Sequence, residues 1–156
     1  MRGKLKKKHP HTPDINYNSP KVGRFINYVM LDGKKTTAQK IVYGSFEVIK
    51  EKTENPNPLE IFDLAIKNSS PLMEVRSRRI GGANYQVPRE VRPERRLQMS
   101  MRWILAAARA GKGRPIHERL ADELIAASKG EGNAVKKKEN THKMADANKA
   151  FAHFSW

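Results

Sequence analysis

The chain has 156 residues, no cysteine, and a formal net charge of +15 from 31 lysines and arginines against 16 acidic residues. The length fits one domain with an ordinary core. The missing thiols exclude disulfides, cysteine-ligated zinc and thiol catalysis, and neither a membrane span of ~20 apolar residues nor a secretory leader is expected. Solubility needs only about 2 to 8 charges in a small domain, so the larger excess points to a polyanionic partner, nucleic acid foremost, and not to a membrane.

Residues 1–18 read as a flexible basic arm. Arg2, Lys4, Lys6, Lys7 and Lys8 crowd its start with no acid among them, and Pro10, Pro13, His9 and His11 follow. Too little apolar surface is present to order such a stretch without a partner. Its lysines suit phosphate contacts that add affinity without reading sequence, and a plain solubility tail is the bland alternative.

Residues 19–156 read as a single helical domain. The first helix is predicted to start at Ser19 as cap with Pro20 in its first turn, carrying Val22, Phe25, Ile26, Val29 and Met30 at helical spacing until Asp32-Gly33. A second runs from about Thr37 to Lys52, with Ala38, Ile41, Val42, Phe46 and Ile49 inward. Asn57 caps a third, opened by Pro58, that buries Leu59, Phe62, Ala65 and Ile66. Asn68-Ser69-Ser70 matches a glycosylation sequon, read here as chance.

From Pro71 to Val91 the helical period disappears. Met73, Val75, Ile80, Tyr85, Val87 and Val91 are strand formers, and Gly81-Gly82-Ala83-Asn84 divides them as a turn. A β-hairpin at about residues 72–91 follows, with strands of roughly 26 Å at ~3.3 Å per residue. Against a radius of gyration near ~15 Å, such a hairpin can project, and Pro88 suits an edge strand. Pro93 opens a fourth helix to about Ala110, Pro115 a fifth, and a sixth spans about Ala134 to Phe151. The fold class is mainly α: a six-helix body with an inserted, projecting β-hairpin and a basic N-terminal arm.

The hairpin and the next helix start carry the sharpest chemical signal. Residues 71–96 hold Arg76, Arg78, Arg79, Arg89, Arg92, Arg95 and Arg96 but no lysine, against Glu74, Glu90 and Glu94. Arginine is favoured where a planar fork must grip phosphate or stack on a base, and intramolecular Arg–Glu pairing is the competing explanation. Tyr85 can stack on a base or simply pack. Lys34 and Lys35 suit phosphate contact, although Tyr28 stands where a phosphate-binding loop would need its first glycine. Lys136, Lys137 and Lys138 sit at the positive end of the sixth helix, where cations are disfavoured; a phosphate would compensate, and ordinary solvation is the alternative. No nucleophile signature, metal set or cofactor loop is found, so neither an enzyme nor a cofactor is expected.

Longer stretches carry a resemblance: Met30-Leu31-Asp32-Gly33-Lys34-Lys35, Glu74-Val75-Arg76-Ser77-Arg78-Arg79-Ile80-Gly81-Gly82, Tyr85-Gln86-Val87-Pro88, Glu90-Val91-Arg92-Pro93 with Arg95-Arg96, Met101-Arg102-Trp103, Ala134-Val135-Lys136-Lys137-Lys138, and Ala147-Asn148-Lys149-Ala150-Phe151. Nearly end to end, the chain resembles the bacterial-type family of small-subunit ribosomal protein seven. The resemblance implies a cytoplasmic ribosomal protein that binds the 3′ major domain of small-subunit ribosomal RNA and nucleates assembly of the subunit head. It implies RNA contacts at the arm cations, Lys34, Lys35, the hairpin arginines, Arg92, Arg95, Arg96, Arg102 and Lys136–Lys138. It also implies that Gly81, Gly82, Ala83, Asn84, Tyr85, Lys143 and Lys149 lie near the exit-site transfer RNA. Small-subunit ribosomal proteins nine and eleven would be neighbours, no homo-oligomer is expected, and some members of the family repress their own messenger RNA.

Two other functions compete on charge alone. A DNA-binding protein would show symmetric dimerisation and groove readout. An RNA-processing enzyme would need a catalytic set. An RNA scaffold instead grips backbone and irregular junctions, because the deep A-form major groove excludes side chains.

Overall fold

The computed structural model describes residues 12–154. Prolines mark where its helices begin. Helix α1 (Pro20–Val29) opens on a proline, which forfeits no hydrogen bond in a first turn. Ser19 holds the cap position, but its hydroxyl caps nothing; its carbonyl accepts from the Gly23 and Asp14 N–H groups at 3.1 and 3.2 Å. Helix α2 (Lys35–Thr53) starts two residues before the predicted Thr37. Helix α3 (Pro58–Ser69) has the predicted cap, with the Asn57 side chain accepting from the Leu59 N–H at 3.2 Å.

The hairpin strands are β1 (Met73–Ile80) and β2 (Ala83–Glu90), antiparallel from Met73 opposite Glu90 to Ile80 opposite Ala83. The predicted four-residue turn contracts to Gly81-Gly82, with φ of +55° and +90°. A two-residue turn that follows strand twist requires positive φ at both positions, which glycine adopts without strain. Ala83 and Asn84 therefore belong to β2.

Helix α4 (Pro93–Ala110) and helix α5 (Ile116–Ser128) follow, then α6 (Asn133–Ala147) and a 3-10 helix (Lys149–Phe154). The last α-helix thus stops short of the predicted Phe151. The Asn148 side-chain amide donates to the Met144 carbonyl at 2.8 Å, alongside the Asn148 backbone N–H at 3.2 Å. Local bonding of this kind competes with helix continuation.

Helix α5 lies against α2, α3, α4 and α6. Leu120, Ala121, Leu124 and Ala127 on it are fully buried. Predicted inward residues of α2, α3 and α4 share its core, α1 packs on α2 and α4, and Phe46 links Phe62 and Tyr17 through edge-on ring contacts of 5.7 and 5.1 Å between centroids. Asn68 is engaged in packing, its amide donating to the Ala127 and Ser128 carbonyls at the end of α5.

Residues 12–18, the end of the predicted arm, make contacts with the helical body. Asp14 is buried, accepts from the Asn16 and Tyr17 N–H groups at 3.2 Å each, and accepts from the Tyr43 hydroxyl at 2.7 Å. One carboxylate thereby ties the segment to α2. Burial, followed by this hydrogen bond to Asp14, pushes the Tyr43 hydroxyl up to about 12. Because that lies above the ~10 of a free tyrosine, the stability Tyr43 contributes is complete below pH ~10 and is lost as pH rises through the folded value. Tyr43→Phe should cost about 1.5 kcal/mol at neutral pH and abolish that alkaline step; urea titrations from pH 8 to 12 measure both.

The hairpin is not free-standing. Helix α6 packs on both strands, and the 3-10 helix packs on β2. His142 on α6 accepts the Leu72 N–H at 3.0 Å, just before β1. Farther out, Tyr85 packs on Phe151 and Phe154 at centroid distances of 5.2 and 5.4 Å, and Arg78 donates to the Phe154 carbonyl at 2.9 Å.

Candidate nucleic-acid interface

Strand alternation sorts the hairpin side chains between two faces. Glu74, Arg76, Arg78 and Ile80 share one face with their cross-strand partners Arg89, Val87, Tyr85 and Ala83. The other face carries Val75 opposite Pro88, Ser77 opposite Gln86 and Arg79 opposite Asn84. At the base of the hairpin, the first face meets the start of α4. The junction is a cleft of about 310 Å³ lined by Glu74, Arg76, Arg89, Glu90, Arg92 and Arg95. A smaller recess of about 220 Å³, lined by Arg76, Ser77, Arg78, Val87 and Arg89, continues toward the tip. Four arginines face two carboxylates in the larger cleft, so it is net positive.

Glu74 organises this cleft. Its side chain is 6% exposed. One oxygen accepts from Arg76 Nε at 2.8 Å and the other from Arg95 Nε at 2.7 Å. A buried carboxylate is tolerated only when its oxygens are satisfied in this way. Both bonds use Nε, so the Nη groups of each guanidinium stay outside them. Arg89 and Arg92 line the same cleft and are exposed. Neither they nor Arg79 has an ion pair or side-chain hydrogen bond to the described residues.

The remaining predicted contacts divide. Lys34 stands at the cap position of α2, and Lys35 is its first residue rather than part of the preceding loop; both are exposed. Lys35 lines a separate cleft of about 220 Å³ with Thr12, Asp14 and Ile15. Arg96 donates to the Val91 carbonyl at 2.7 Å, and the Arg102 guanidinium lies 5.7 Å from the centre of the Tyr28 ring. These two side chains brace the body, although Arg102 remains exposed. Gly81, Gly82, Ala83, Asn84, Lys143 and Lys149 are exposed, whereas Tyr85 is half-buried in its aromatic contacts. Arg2, Lys4, Lys6, Lys7 and Lys8 lie outside the described residues.

The positive end of α6 meets a carboxylate of the body. Glu123 Oε1 accepts the Ala134 N–H at 2.8 Å. Burial pushes the Glu123 carboxyl up, while backbone bonds from Ala134 and Asn133 and the charge of Lys136 act in the opposite direction. Lys138 Nζ donates to the Asn68 carbonyl at 2.7 Å, at the negative end of α3. Only Lys136 and Lys137 of that trio are left exposed.

Glu74 and Glu123 are the residues that counting charges passes over, since a tally enters each only as a subtraction. For Glu74 a signal exists: strand alternation places it two residues from Arg76 on the same face, within side-chain reach. Nothing in the local sequence of Glu123 marks it as the cap of a helix ten residues away.

Comparison with known proteins supplies the wider context. The family profile described as ribosomal protein S7p/S5e matches residues 1–149. The chain is 58% identical over 144 residues to small ribosomal subunit protein uS7 of Thermotoga petrophila, covering 92% of each chain. It is 54% identical over 156 residues to the protein of the same name from Thermotoga maritima, covering 100% of each. With uS7 of Francisella tularensis subsp. holarctica the identity is 56% over 144 residues, again 92% of each chain. An arginine-lined cleft on a helical body and a match along nearly the whole length agree: this chain belongs to the ribosomal protein S7p/S5e family.

Proposed function

We propose that the protein is a structural constituent of the small ribosomal subunit that binds ribosomal RNA through the hairpin base and the start of α4. The observation that carries this reading is the cleft of Arg76, Arg89, Arg92 and Arg95 on a chain of this family. A helical platform with a braced hairpin fixes guanidinium forks in space, which suits the irregular backbone of an RNA junction better than the regular groove of a duplex. The chemistry required is phosphate neutralisation and positioning, not bond-making.

The finer reading follows the resemblance. The RNA is the 3′ major domain, and binding there nucleates assembly of the subunit head in the cytoplasm. The hairpin tip, Lys143 and Lys149 lie toward the exit-site transfer RNA and the messenger path. Small-subunit ribosomal proteins nine and eleven are neighbours, and binding to the protein's own messenger RNA for self-repression would use the same basic surface.

The test is a binding titration against a 3′-major-domain RNA fragment, an unrelated RNA of equal length and duplex DNA, each at several salt concentrations. With ~6 to 10 phosphate contacts, affinity for the ribosomal fragment should fall by ~10³ to 10⁵ between 50 and 200 mM salt while remaining the strongest of the three. Equal affinity for all three nucleic acids would reduce the protein to a generic polycation and overturn the reading.

A further inference from the structure

We propose that Glu74 is a positioning residue: it aims the forks of Arg76 and Arg95 at a single backbone phosphate in the cleft at the hairpin base. The inference rests on the RNA-binding reading above and concerns how selectivity arises at that site.

An acidic side chain in the middle of a nucleic-acid interface needs an explanation, because charge alone argues against it. Glu74 lowers the positive potential of the cleft and repels phosphate. Yet it is 5% exposed, while its partners Arg76 and Arg95 have side chains 49% and 46% exposed. The carboxylate is thus the buried anchor, and the guanidiniums are the accessible groups. They come from different elements, β1 and α4, and Glu74 bridges them. Each gives Nε to the carboxylate and keeps its Nη groups for another acceptor. Paired Nη donors suit phosphate oxygens, and two forks fixed across a cleft of about 310 Å³ can hold one phosphate from two sides.

The benefit is preorganisation. A free arginine on the surface surrenders much of its rotamer freedom when it grips a phosphate. Here that ordering is already present before RNA arrives. Arg89 lies directly opposite Glu74 across the strands and lines the same cleft without an ion pair of its own among the described residues. The arrangement therefore combines two aimed cations with further mobile ones. Aimed cations favour an RNA whose backbone presents a phosphate at that spot, whereas mobile cations favour any RNA.

The two roles of a carboxylate predict effects of opposite sign. If Glu74 only subtracts charge, Glu74→Gln strengthens binding to every RNA. If Glu74 positions, the same change weakens binding to the matched RNA while leaving unmatched RNA as well bound or better. The experiment titrates full-length wild type and Glu74→Gln against the 3′-major-domain fragment and an unrelated RNA of equal length, with thermal unfolding followed in parallel. The expected result is about a tenfold loss of affinity for the ribosomal fragment, with none for the unrelated RNA. A double variant, Arg76→Lys with Arg95→Lys, retains the charges and the partners of Glu74 but removes the forks; it should lose the same preference, and it carries the test if Glu74→Gln fails to fold. An undiminished preference in these variants, or equal losses on both RNAs in step with lower thermal stability, overturns the inference alone. Wild-type protein that binds both RNAs alike overturns the underlying reading and the inference with it.

Discussion

Replacing Arg79, Arg89 and Arg92 together by alanine should lower the salt dependence of ribosomal-RNA binding by about 3 in the slope of log K against log salt, or about 1 for each phosphate no longer neutralised. At ~0.9 per phosphate, the affinity deficit should be roughly fortyfold larger at 50 mM than at 200 mM salt. These three arginines suit the test because they are exposed and unpaired among the described residues. Their removal should change folding stability by less than about 0.5 kcal/mol. Arg76, Arg95 and Arg96 would be poor choices, since each also holds the fold together through Glu74 or Val91. Filter-binding or fluorescence titrations at four salt concentrations measure the slope, and a thermal melt checks the fold. An unchanged slope would mean that the phosphates are gripped elsewhere on the surface.

Phe46→Ala should destabilise the protein by about 3–5 kcal/mol, the cost of deleting a fully enclosed aromatic ring. Phe46 is 0% exposed and touches Phe62 and Tyr17 edge-on. The cavity would open where α2, α3 and the Asp14 segment meet, so the ordering of residues 12–18 should suffer as well. Against a total stability of about 5–15 kcal/mol for a natural domain, that change is a large fraction. At roughly 2–4 °C per kcal/mol for a chain of this size, the melting temperature should fall by about 6–20 °C. Calorimetry or urea titration reads the change directly. Phe46→Leu should recover much of the stability by refilling volume. A cost below about 1.5 kcal/mol would show that the aromatic cluster repacks freely. RNA binding at low temperature should keep its salt slope, because Phe46 lies on α2, which neither contacts the hairpin nor lines the arginine cleft.

The body is legible in the sequence because its signals are local. Pro20, Pro58 and Pro93 each open a helix, Asn57 caps one, and inward residues such as Val42, Phe46 and Ile49 recur at helical spacing. The hairpin is legible from strand formers around Gly81-Gly82, and the arginine bias locates the cleft. What escapes are pairings between residues far apart in sequence. Asp14 reads as part of a polar tail because its partner, Tyr43, lies in α2. Lys138 reads as a free cation because the carbonyl it meets belongs to Asn68. Tyr85 is open between stacking and packing until the fold brings Phe151 and Phe154 beside it. Glu74 counts as an opposing charge, although its two bonds set the geometry of the arginines around it.

The docking of α6 and the 3-10 helix also ties together parts of the chain that lie far apart in sequence. Asn68 meets Lys138, Leu72 meets His142, and Arg78 meets Phe154, at separations of 70, 70 and 76 residues. Asn68 is already held to Ala127 and Ser128 of α5, so once the helical body has formed the Lys138 contact closes only a short further loop. Each later one then adds only a few residues, so the segment closes like a zipper from the helical body outward to the hairpin tip. Opening is expected to run the same path in reverse, with the Tyr85–Phe154 end releasing first and the Asn68–Lys138 end last. Amide exchange along α6 should accordingly be slower at Lys137 and Lys138, beyond the first turn whose N–H groups lack intrahelical acceptors, than near Asn148.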